Sequence, residues 1–182
     1  MKMIQTEHPD VILIQPDVYG DGRGFFMETY QKEKFANLGI DHEFVQDNLS
    51  SSKQWTLRGL HYQVTHVQGK LVRAVRGEIF DVAVDLRQDS PRFGEWVGAT
   101  LSEKNKNALW IPPGFAHGFL ALSTRADVFY KTTNYYDQNG ERCIRWDDPT
   151  LGIDWPIPEG KTPIVSDKDQ SAHSFIDAEV FS

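Results

Sequence analysis

The chain has 182 residues, a formal net charge of −7, 40% hydrophobic and 25% charged residues, and a single cysteine, Cys143. These values predict one domain spanning residues 1–182, and they exclude a general attraction to nucleic acid or anionic membranes and any intrachain disulfide. We also expect a cytoplasmic protein without a membrane partner, because no leader opens the sequence and no apolar run approaches the ~18 residues of a span.

Alternating apolar and polar residues predict a protein made mainly of strands. Turn residues at 19–22, 76–77, 89–91 and 137–140 separate the alternating runs. Many short, closely spaced strands are typical of a sandwich or barrel. The predicted strands are Gly24–Tyr30, Phe44–Asn48, Leu57–Gln63, Leu71–Arg76, Glu78–Leu86, Glu95–Leu101, Ala108–Ile111, His117–Leu122 and Asp127–Asn134.

The run Glu78–Leu86 shows this alternation over its whole length. Its even positions from Phe80 onward are apolar, whereas Asp81 and Asp85 are polar. This pattern indicates a strand with one buried face.

Helix signals are few. Lys32–Leu38, closed by Gly39, is predicted as a two-turn helix. From Asp147 onward four prolines suppress regular structure, so we expect this tail to wrap over the barrel, with a short helix near Gln170–Ile176.

The first candidate binding segment is Arg23–Glu28. Phe26 and Glu28 share one face of a strand, which would suit a nucleobase stacked on the ring, with its N–H donated to the carboxylate. Taken alone, an ordinary strand with one exposed glutamate is the simpler interpretation.

The second segment, Gln46–Ser52, has a polar row on one strand face. Gln46, Asn48 and Ser50 form this row, which faces solvent or lines a polar pocket. An acidic protein needs local cations to hold a phosphate or pyrophosphate. Basic residues in the same half of the chain are Arg23, Arg58, Lys70 and Arg73.

The third segment, Leu57–Gln63, carries His61 in an aromatic strand near Gly59. Such a histidine either faces a cavity or is a core histidine satisfied by one hydrogen bond. Arg58 and His61 have opposite strand parity, so both reach one ligand only through a bulge at Gly59 or at a strand end.

The fourth segment, Pro112–Phe119, contains a Pro-x-Gly-x-x-His turn that recurs in cupin barrels. Many cupins bind a metal through three histidines and a glutamate, and the first half of that motif is His-x-His. Tyr62 and Gln63 follow His61 instead, and His66 lies at odd spacing from it. A metal site is therefore disfavoured.

The last segment, Ser166–Asp169, lies in the irregular tail. A carboxylate folded back onto a histidine would orient the ring and favour its protonated form. A solvated acidic turn is the alternative.

Together these segments resemble the dTDP-4-dehydrorhamnose 3,5-epimerase family over nearly the whole chain. The resemblance implies an all-β, cupin-like jelly-roll barrel of antiparallel strands with few short helices, and no metal or other cofactor. The matching strings are Asp21–Phe26, Gln46–Ser50, Leu57–Gln63, Gly69–Arg73, Trp110–Phe119, Tyr130–Lys131 and Ser166–Asp169.

The resemblance also implies roles for individual residues. His61 would be the base, oriented by Asp169, and Tyr130 the acid. Lys70 and His117 would contact the sugar, with Lys70 placed to stabilise an enolate oxygen. Residues implied to contact the nucleotide or neighbouring groups are Arg23, Phe26, Glu28, Gln46, Asp47, Asn48, Arg58, Glu141 and Lys168.

In this family part of the N-terminal region crosses to a partner subunit. We therefore expect a homodimer in which Arg23, Phe26 and Glu28 complete the neighbour's site. The implied reaction converts dTDP-4-dehydro-6-deoxy-D-glucose into dTDP-4-dehydro-L-rhamnose. The alternatives are epimerisation at one carbon only, a metal-dependent cupin oxygenase or isomerase, and a non-catalytic sugar-binding cupin.

Overall fold

The structure is a computed structural model that describes residues 1–182 and consists mainly of short strands with two helices. Helix α1 spans Lys32–Asn37 and helix α2 spans Asp167–Gln170. The strands are β1 (Lys2–Gln5), β2 (Ile12–Gln15), β3 (Val18–Asp21), β4 (Gly24–Met27), β5 (Gln46–Lys53), β6 (Leu57–Gln63), β7 (Lys70–Arg76), β8 (Glu78–Asp85), β9 (Trp96–Ser102), β10 (Ala108–Ile111), β11 (Phe115–Ala121), β12 (Arg125–Thr132) and β13 (Glu141–Cys143).

Two antiparallel sheets form the body of the protein. The larger sheet has the order β1-β2-β10-β7-β12-β5, the smaller has the order β13-β6-β11-β8-β9, and β3-β4 is a separate hairpin. The predicted all-β jelly-roll barrel with few short helices is confirmed. Neither helix has the length and apolar character needed to cross a membrane.

Apolar residues fill the space between the two sheets and also cover the outer face of the smaller sheet. The inner core includes Val72 and Val128 from the larger sheet and Ala83 from β8. On the outer face, Val82 belongs to a second cluster with Trp155 of the C-terminal tail. The prediction that the tail wraps over the barrel is therefore confirmed.

Strand β8 corrects the prediction of a single buried face. Asp81 and Asp85 are both fully buried, and so are Val82 and Val84 at the alternate positions. The tail covers one face of β8 and the barrel interior covers the other, so the two aspartates point into the protein. Each therefore has a partner, as buried carboxylates require: His117 for Asp81 and Arg87 for Asp85.

Other element boundaries differ modestly from the predictions. Leu57–Gln63 and Ala108–Ile111 are strands with the predicted bounds, whereas β1, β2, β3 and β13 were not predicted. These four are short, at three or four residues each, and too short to show alternation. The short helix predicted near Gln170–Ile176 is misplaced: α2 spans Asp167–Gln170 and shares only Gln170 with it, because the Ser166 side chain accepts a hydrogen bond from the Asp169 N–H and caps the helix there.

Candidate active site

A pocket of ≈ 320 Å³ receives side chains from both sheets. Ten of its 14 lining residues are polar or charged, which suits a hydroxylated or charged ligand. Eight residues with a predicted catalytic or binding role line it: Gln46, Asn48, Arg58, His61, Lys70, His117, Tyr130 and Glu141. Lining residues that were not among the predicted contacts are Ser50, Tyr62, Gln63, Gln68, Phe119 and Tyr136.

A bulge in β6 lets Arg58 and His61 reach the same pocket. His61 pairs with His117 and Arg58 pairs with Phe119. Two residues that are three positions apart in β6 therefore lie opposite two residues that are two positions apart in β11. Gly59 sits in the bulge with a φ of 132°. A Cβ on Gly59 would lie 2.5 Å from the Gly118 Cα, so only glycine fits there. Of the two expected arrangements, a bulge at Gly59 or a site at the strand end, the structure has the bulge.

His61 forms a pair with Asp169 from the C-terminal tail. The distance from His61 Nε2 to Asp169 Oδ1 is 2.5 Å, and the side chains are 30% and 4% exposed. Burial alone would raise the pKa of Asp169, but hydrogen bonds from His61, Ser166 and Cys143 outweigh it and hold the pKa below its ordinary value. An ionised carboxylate only accepts hydrogen bonds, so Nε2 carries the shared proton. Nδ1 of His61 has no hydrogen-bond partner in the chain and is left to accept a proton.

Lys70 at the start of β7 is buried in the pocket wall. Its Nζ donates a hydrogen bond of 3.2 Å to the His61 carbonyl oxygen. Burial lowers the pKa of Lys70 to about 8, although the charges of Asp81 and Glu141 act in the opposite direction. The ammonium group is therefore a cation with few partners of its own, next to the candidate base.

His117 forms the second histidine–aspartate pair. Its Nε2 lies 2.7 Å from Asp81 Oδ1, with the side chains 9% and 0% exposed. Burial lowers the pKa of His117 more than the Asp81 charge and hydrogen bond raise it. Asp81 Oδ2 has no partner in the chain. Sequence reasoning missed Asp81 as part of the site. The alternation of polar and apolar residues in Glu78–Leu86 indicated a solvent-facing side chain at this position instead.

Tyr130 lies on β12 in the pocket wall, with its side chain partly buried. Burial raises the pKa of its phenol, and the nearby Glu141 charge adds to this, whereas Arg58 lowers it. The phenol therefore stays protonated at neutral pH and can act as a proton donor.

A polar cluster links the tail to the outer part of the pocket. Glu141 forms an ion pair with Lys168, and it accepts a hydrogen bond of 3.0 Å from the Tyr136 hydroxyl. Lys168 thus reaches the site through Glu141 and does not itself line the pocket. Tyr136 was not predicted, because it lies in a loop after β12 with no pattern to single it out.

The polar row of β5 lies on the pocket side, as the parity predicted. Gln46 Nε2 donates to Asn48 Oδ1 at 3.0 Å, and the Ser50 hydroxyl is buried without a partner. Asp47 lies on the other face of the strand, where it accepts a hydrogen bond of 2.6 Å from Lys131. Asp47 is therefore outside the pocket formed by this chain, because strand parity turns it away.

Three predicted residues lie on the β3–β4 hairpin or just after it, outside the pocket. Arg23 pairs with Asp21 and its side chain is 91% exposed, and Glu28 pairs with Lys34 at 2.7 Å. Phe26 is 71% exposed, which is unusual for a phenylalanine in a folded chain. These residues do not join the pocket of their own chain.

One group of side chains has the donors and spacing of a metal site. His61, Cys143 and Asp169 place their ligand atoms within 4.8 Å of one another. This group differs from the cupin set of three histidines and a glutamate, since His117 is engaged by Asp81. Burial, followed by the neighbouring Asp169, raises the pKa of the Cys143 thiol to about 12.

Comparisons with known proteins agree over almost the whole chain. The family model described as dTDP-4-dehydrorhamnose 3,5-epimerase matches residues 5–177. The Pseudomonas aeruginosa protein named dTDP-4-dehydrorhamnose 3,5-epimerase is 53% identical over 182 residues, covering 100% of this chain and 99% of the relative.

Solved structures give the same grouping. The dTDP-6-deoxy-D-glucose-3,5-epimerase of Legionella pneumophila, in complex with dTDP-4-keto-L-rhamnose, superposes with a TM-score of 0.94 at 49% identity, covering 98% of this chain and 94% of that one. A 3′-monoepimerase from Streptomyces bikiniensis, in complex with dTDP-quinovose, superposes with a TM-score of 0.85 at 30% identity, covering 93% and 86%.

Proposed function

The chain belongs to the dTDP-4-dehydrorhamnose 3,5-epimerase family, and on that basis we propose that it inverts carbons 3 and 5 of dTDP-4-dehydro-6-deoxy-D-glucose to give dTDP-4-dehydro-L-rhamnose. The observation that carries this proposal is the convergence of the His61–Asp169 pair, Lys70 and Tyr130 on one pocket. The reaction serves dTDP-L-rhamnose biosynthesis.

The first step is removal of a proton next to the ketone at carbon 4. His61 Nδ1 takes this proton, and Asp169 holds the ring in the required tautomer and stabilises the imidazolium that forms. The proton is acidic because the electron pair left on carbon is shared with the ketone oxygen as an enolate. No electron is gained or lost, so the reaction needs no redox cofactor.

Lys70 stabilises the charge that develops on the enolate oxygen. A fixed cation in a water-poor wall is worth more than the same cation in solvent, because the local dielectric is low. Lys70 is buried beside His61, which places its charge near the base. His117 lies next to it and is proposed to contact the sugar.

Tyr130 returns a proton to the opposite face of the same carbon. Inversion requires donor and acceptor on different faces. His61 and Tyr130 stand on β6 and β12, which belong to different sheets, and both line the pocket. Repeating the cycle at the second carbon inverts both centres.

The nucleotide is proposed to bind at the outer part of the pocket. Arg58 contacts the diphosphate, and Gln46, Asn48, Glu141 and Lys168 contact the nucleotide or neighbouring groups. An overall charge of −7 makes a local cation necessary for holding a dianion.

We further propose a homodimer in which the β3–β4 hairpin of each subunit completes the other's site. The exposed Phe26 ring would stack on thymine, with Arg23 and Glu28 beside it. The support is that these side chains are displayed on a hairpin away from their own pocket.

Mixing two inactive variants tests this arrangement. In a mixed dimer of Phe26→Ala and His61→Ala subunits, one site combines an intact His61 with the partner's intact hairpin. Activity measured at low substrate concentration should therefore reappear after subunit exchange. No recovery, with mixed dimers demonstrated by a tag on one subunit, would place Phe26 in its own subunit's site.

Deuterium wash-in tests the reaction itself. Incubation with the substrate in deuterated water should place deuterium at both carbon 3 and carbon 5, as measured by mass spectrometry and NMR. Deuterium at one carbon alone would favour the second candidate, a single-carbon epimerase. That candidate is supported by the fold shared with the Streptomyces 3′-monoepimerase.

The reaction is proposed to take place in the cytoplasm. The single free cysteine, Cys143, is compatible with a reducing compartment.

A further inference from the structure

We propose that His61, Cys143 and Asp169 form an inhibitory site for Zn²⁺, a cation that would block the enzyme by binding its catalytic base. The proposal rests on the proposed role of His61. It concerns a cation that stops the reaction and not a cofactor that supports it.

Three separate elements bring the three donors together. His61 comes from β6, Cys143 is its direct cross-strand neighbour on β13, and Asp169 lies in α2. Cys143 Sγ is 3.5 Å from Asp169 Oδ1, and His61 Nε2 is 2.5 Å from the same oxygen. The donors are therefore held in place by the fold, and no loop has to rearrange to assemble them.

The spacing is close to that of a tetrahedral zinc site. Zinc bonds of about 2.0–2.2 Å to nitrogen and oxygen and about 2.3 Å to sulfur place ligand atoms roughly 3.3–3.8 Å apart. The Cys143–Asp169 distance already lies in this range. The His61–Asp169 distance has to open by less than about 1 Å, and the His61 and Cys143 donor atoms, which lie within 4.8 Å of each other, have to end about 3.3–3.8 Å apart. The fourth position would be taken by water, as in zinc sites with three protein ligands.

The donor types select the class of metal. A nitrogen, sulfur and oxygen set suits Zn²⁺ and similar soft or borderline cations, whereas Mg²⁺ prefers oxygen ligands and water. The two anionic donors, a carboxylate and a thiolate, match the charge of one divalent ion. Binding releases the Cys143 thiol proton to the buffer, and the imidazole proton moves from Nε2 to Nδ1, so that His61 remains a neutral ligand.

Zinc binding would stop catalysis at the proton-abstraction step. Nε2 of His61 would be coordinated, so Asp169 could no longer stabilise an imidazolium. Nδ1 would carry the ring proton while Nε2 binds the metal, so His61 would have no free nitrogen to accept a proton from the substrate. The zinc-free enzyme would be the active form.

Zinc titration of the deuterium wash-in rate tests the proposal. Each protein is compared with its own zinc-free rate, at buffered free Zn²⁺. Wild type should be inhibited and recover on chelation, and Mg²⁺ at the same concentrations should have no effect. Cys143→Ser should raise the half-inhibitory zinc concentration by about tenfold or more, because a hydroxyl is a poor zinc ligand.

A control variant separates this site from surface histidines. His66 is exposed in the loop after β6 and has a φ of 50°, a conformation that asparagine tolerates. His66→Asn should therefore fold normally and keep the wild-type response to zinc. Equal inhibition of wild type and Cys143→Ser would overturn the proposal, because the zinc would then act elsewhere, for example on the substrate diphosphate.

Cobalt gives a readout that does not depend on activity. Co²⁺ added to the substrate-free protein should produce a thiolate-to-cobalt charge-transfer absorption in wild type and in His66→Asn, and none in Cys143→Ser. Absence of the band in wild type would overturn the zinc site and leave the proposed epimerase unaffected. An inactive zinc-free enzyme that still shows the band would count against the proposed function instead.

Discussion

The protein contains two histidine–aspartate pairs that share one chemistry and differ in their surroundings. In the His61–Asp169 pair the imidazole is 30% exposed, and the carboxylate comes from the C-terminal tail. In the His117–Asp81 pair both residues are inside the barrel, on neighbouring strands β11 and β8. The two histidines are themselves cross-strand partners.

The difference shows how surroundings determine what such a pair can do. Burial lowers the pKa of His117, so its ring favours the neutral form and can position a sugar hydroxyl. His61 has a free ring nitrogen at an open pocket, with a carboxylate behind it to stabilise the charge it gains. A base needs access to its substrate as well as a partner, and only His61 has both.

Removal of His61 is the strongest test of this distinction. His61→Ala should lower both deuterium wash-in and epimerisation by about 100- to 10,000-fold, the usual contribution of a general base. The fold, measured by circular dichroism, and dTDP binding should remain. His66→Asn, which also removes one imidazole, should keep wild-type rates. Near-wild-type exchange by His61→Ala would assign the base to another residue.

The next test keeps the base and changes its partner. Asp169→Asn leaves a hydrogen-bonding side chain but removes the charge that stabilises the imidazolium. A hydrogen bond to a charged group contributes about 1.5–3 kcal/mol, so kcat should fall by roughly 10- to 100-fold. The change in KM should be small, because Asp169 does not line the pocket. A loss confined to KM would mean that Asp169 serves binding.

In the buried His117–Asp81 pair, loss of the carboxylate should lower the stability of the folded protein. Asp81→Ala would leave His117 Nε2 without a partner in the core, at a cost of about 1–3 kcal/mol in the free energy of unfolding. The matched change Asp169→Ala should cost less, because water can reach the partly exposed His61. Urea denaturation of both variants measures this, and equal losses would remove the distinction between the pairs.

The sequence alone predicted the partly exposed His61–Asp169 pair better than the buried His117–Asp81 pair. His61 was identified from its strand, and the opposite parity of Arg58 and His61 required either a bulge at Gly59 or a site at the strand end. The pairing of His61 with Asp169, 108 residues later, came from the family resemblance and not from any local pattern.

The His117–Asp81 pair could not be predicted because the burial of Asp81 depends on a contact with a segment distant in the sequence. Asp81 alternates with apolar residues and so indicated a solvent-facing side chain. The C-terminal tail covers the apolar face of β8 from outside, and nothing near Asp81 in the sequence reveals that contact. Tyr136 was not predicted as a pocket residue for a related reason, because the position of a loop residue depends on the strands that pack around it.

Lys70 connects the two pairs, and its titration adds a pH dependence to the comparison. Its Nζ donates a hydrogen bond to the His61 carbonyl oxygen, and the negative charge of Asp81 raises its pKa. Burial lowers its pKa from 10.5 to about 8, so kcat/KM should fall by about tenfold per pH unit above pH 8 as the cation is lost.

Stability should move in the opposite direction over the same pH range. Below pH 8 the lysine is charged in both the folded and the unfolded protein, and the full cost of burying the charge is present. Between pH 8 and 10.5 the unfolded chain binds more protons than the folded one, so this residue's contribution to the free energy of unfolding rises with pH. Lys70→Met, which keeps the length of the side chain, should lose both effects: its low residual rate should show no decline above pH 8, and its stability should lack this rise. A wild-type decline that persists unchanged in Lys70→Met would assign the titration to another group, such as the Tyr130 phenol.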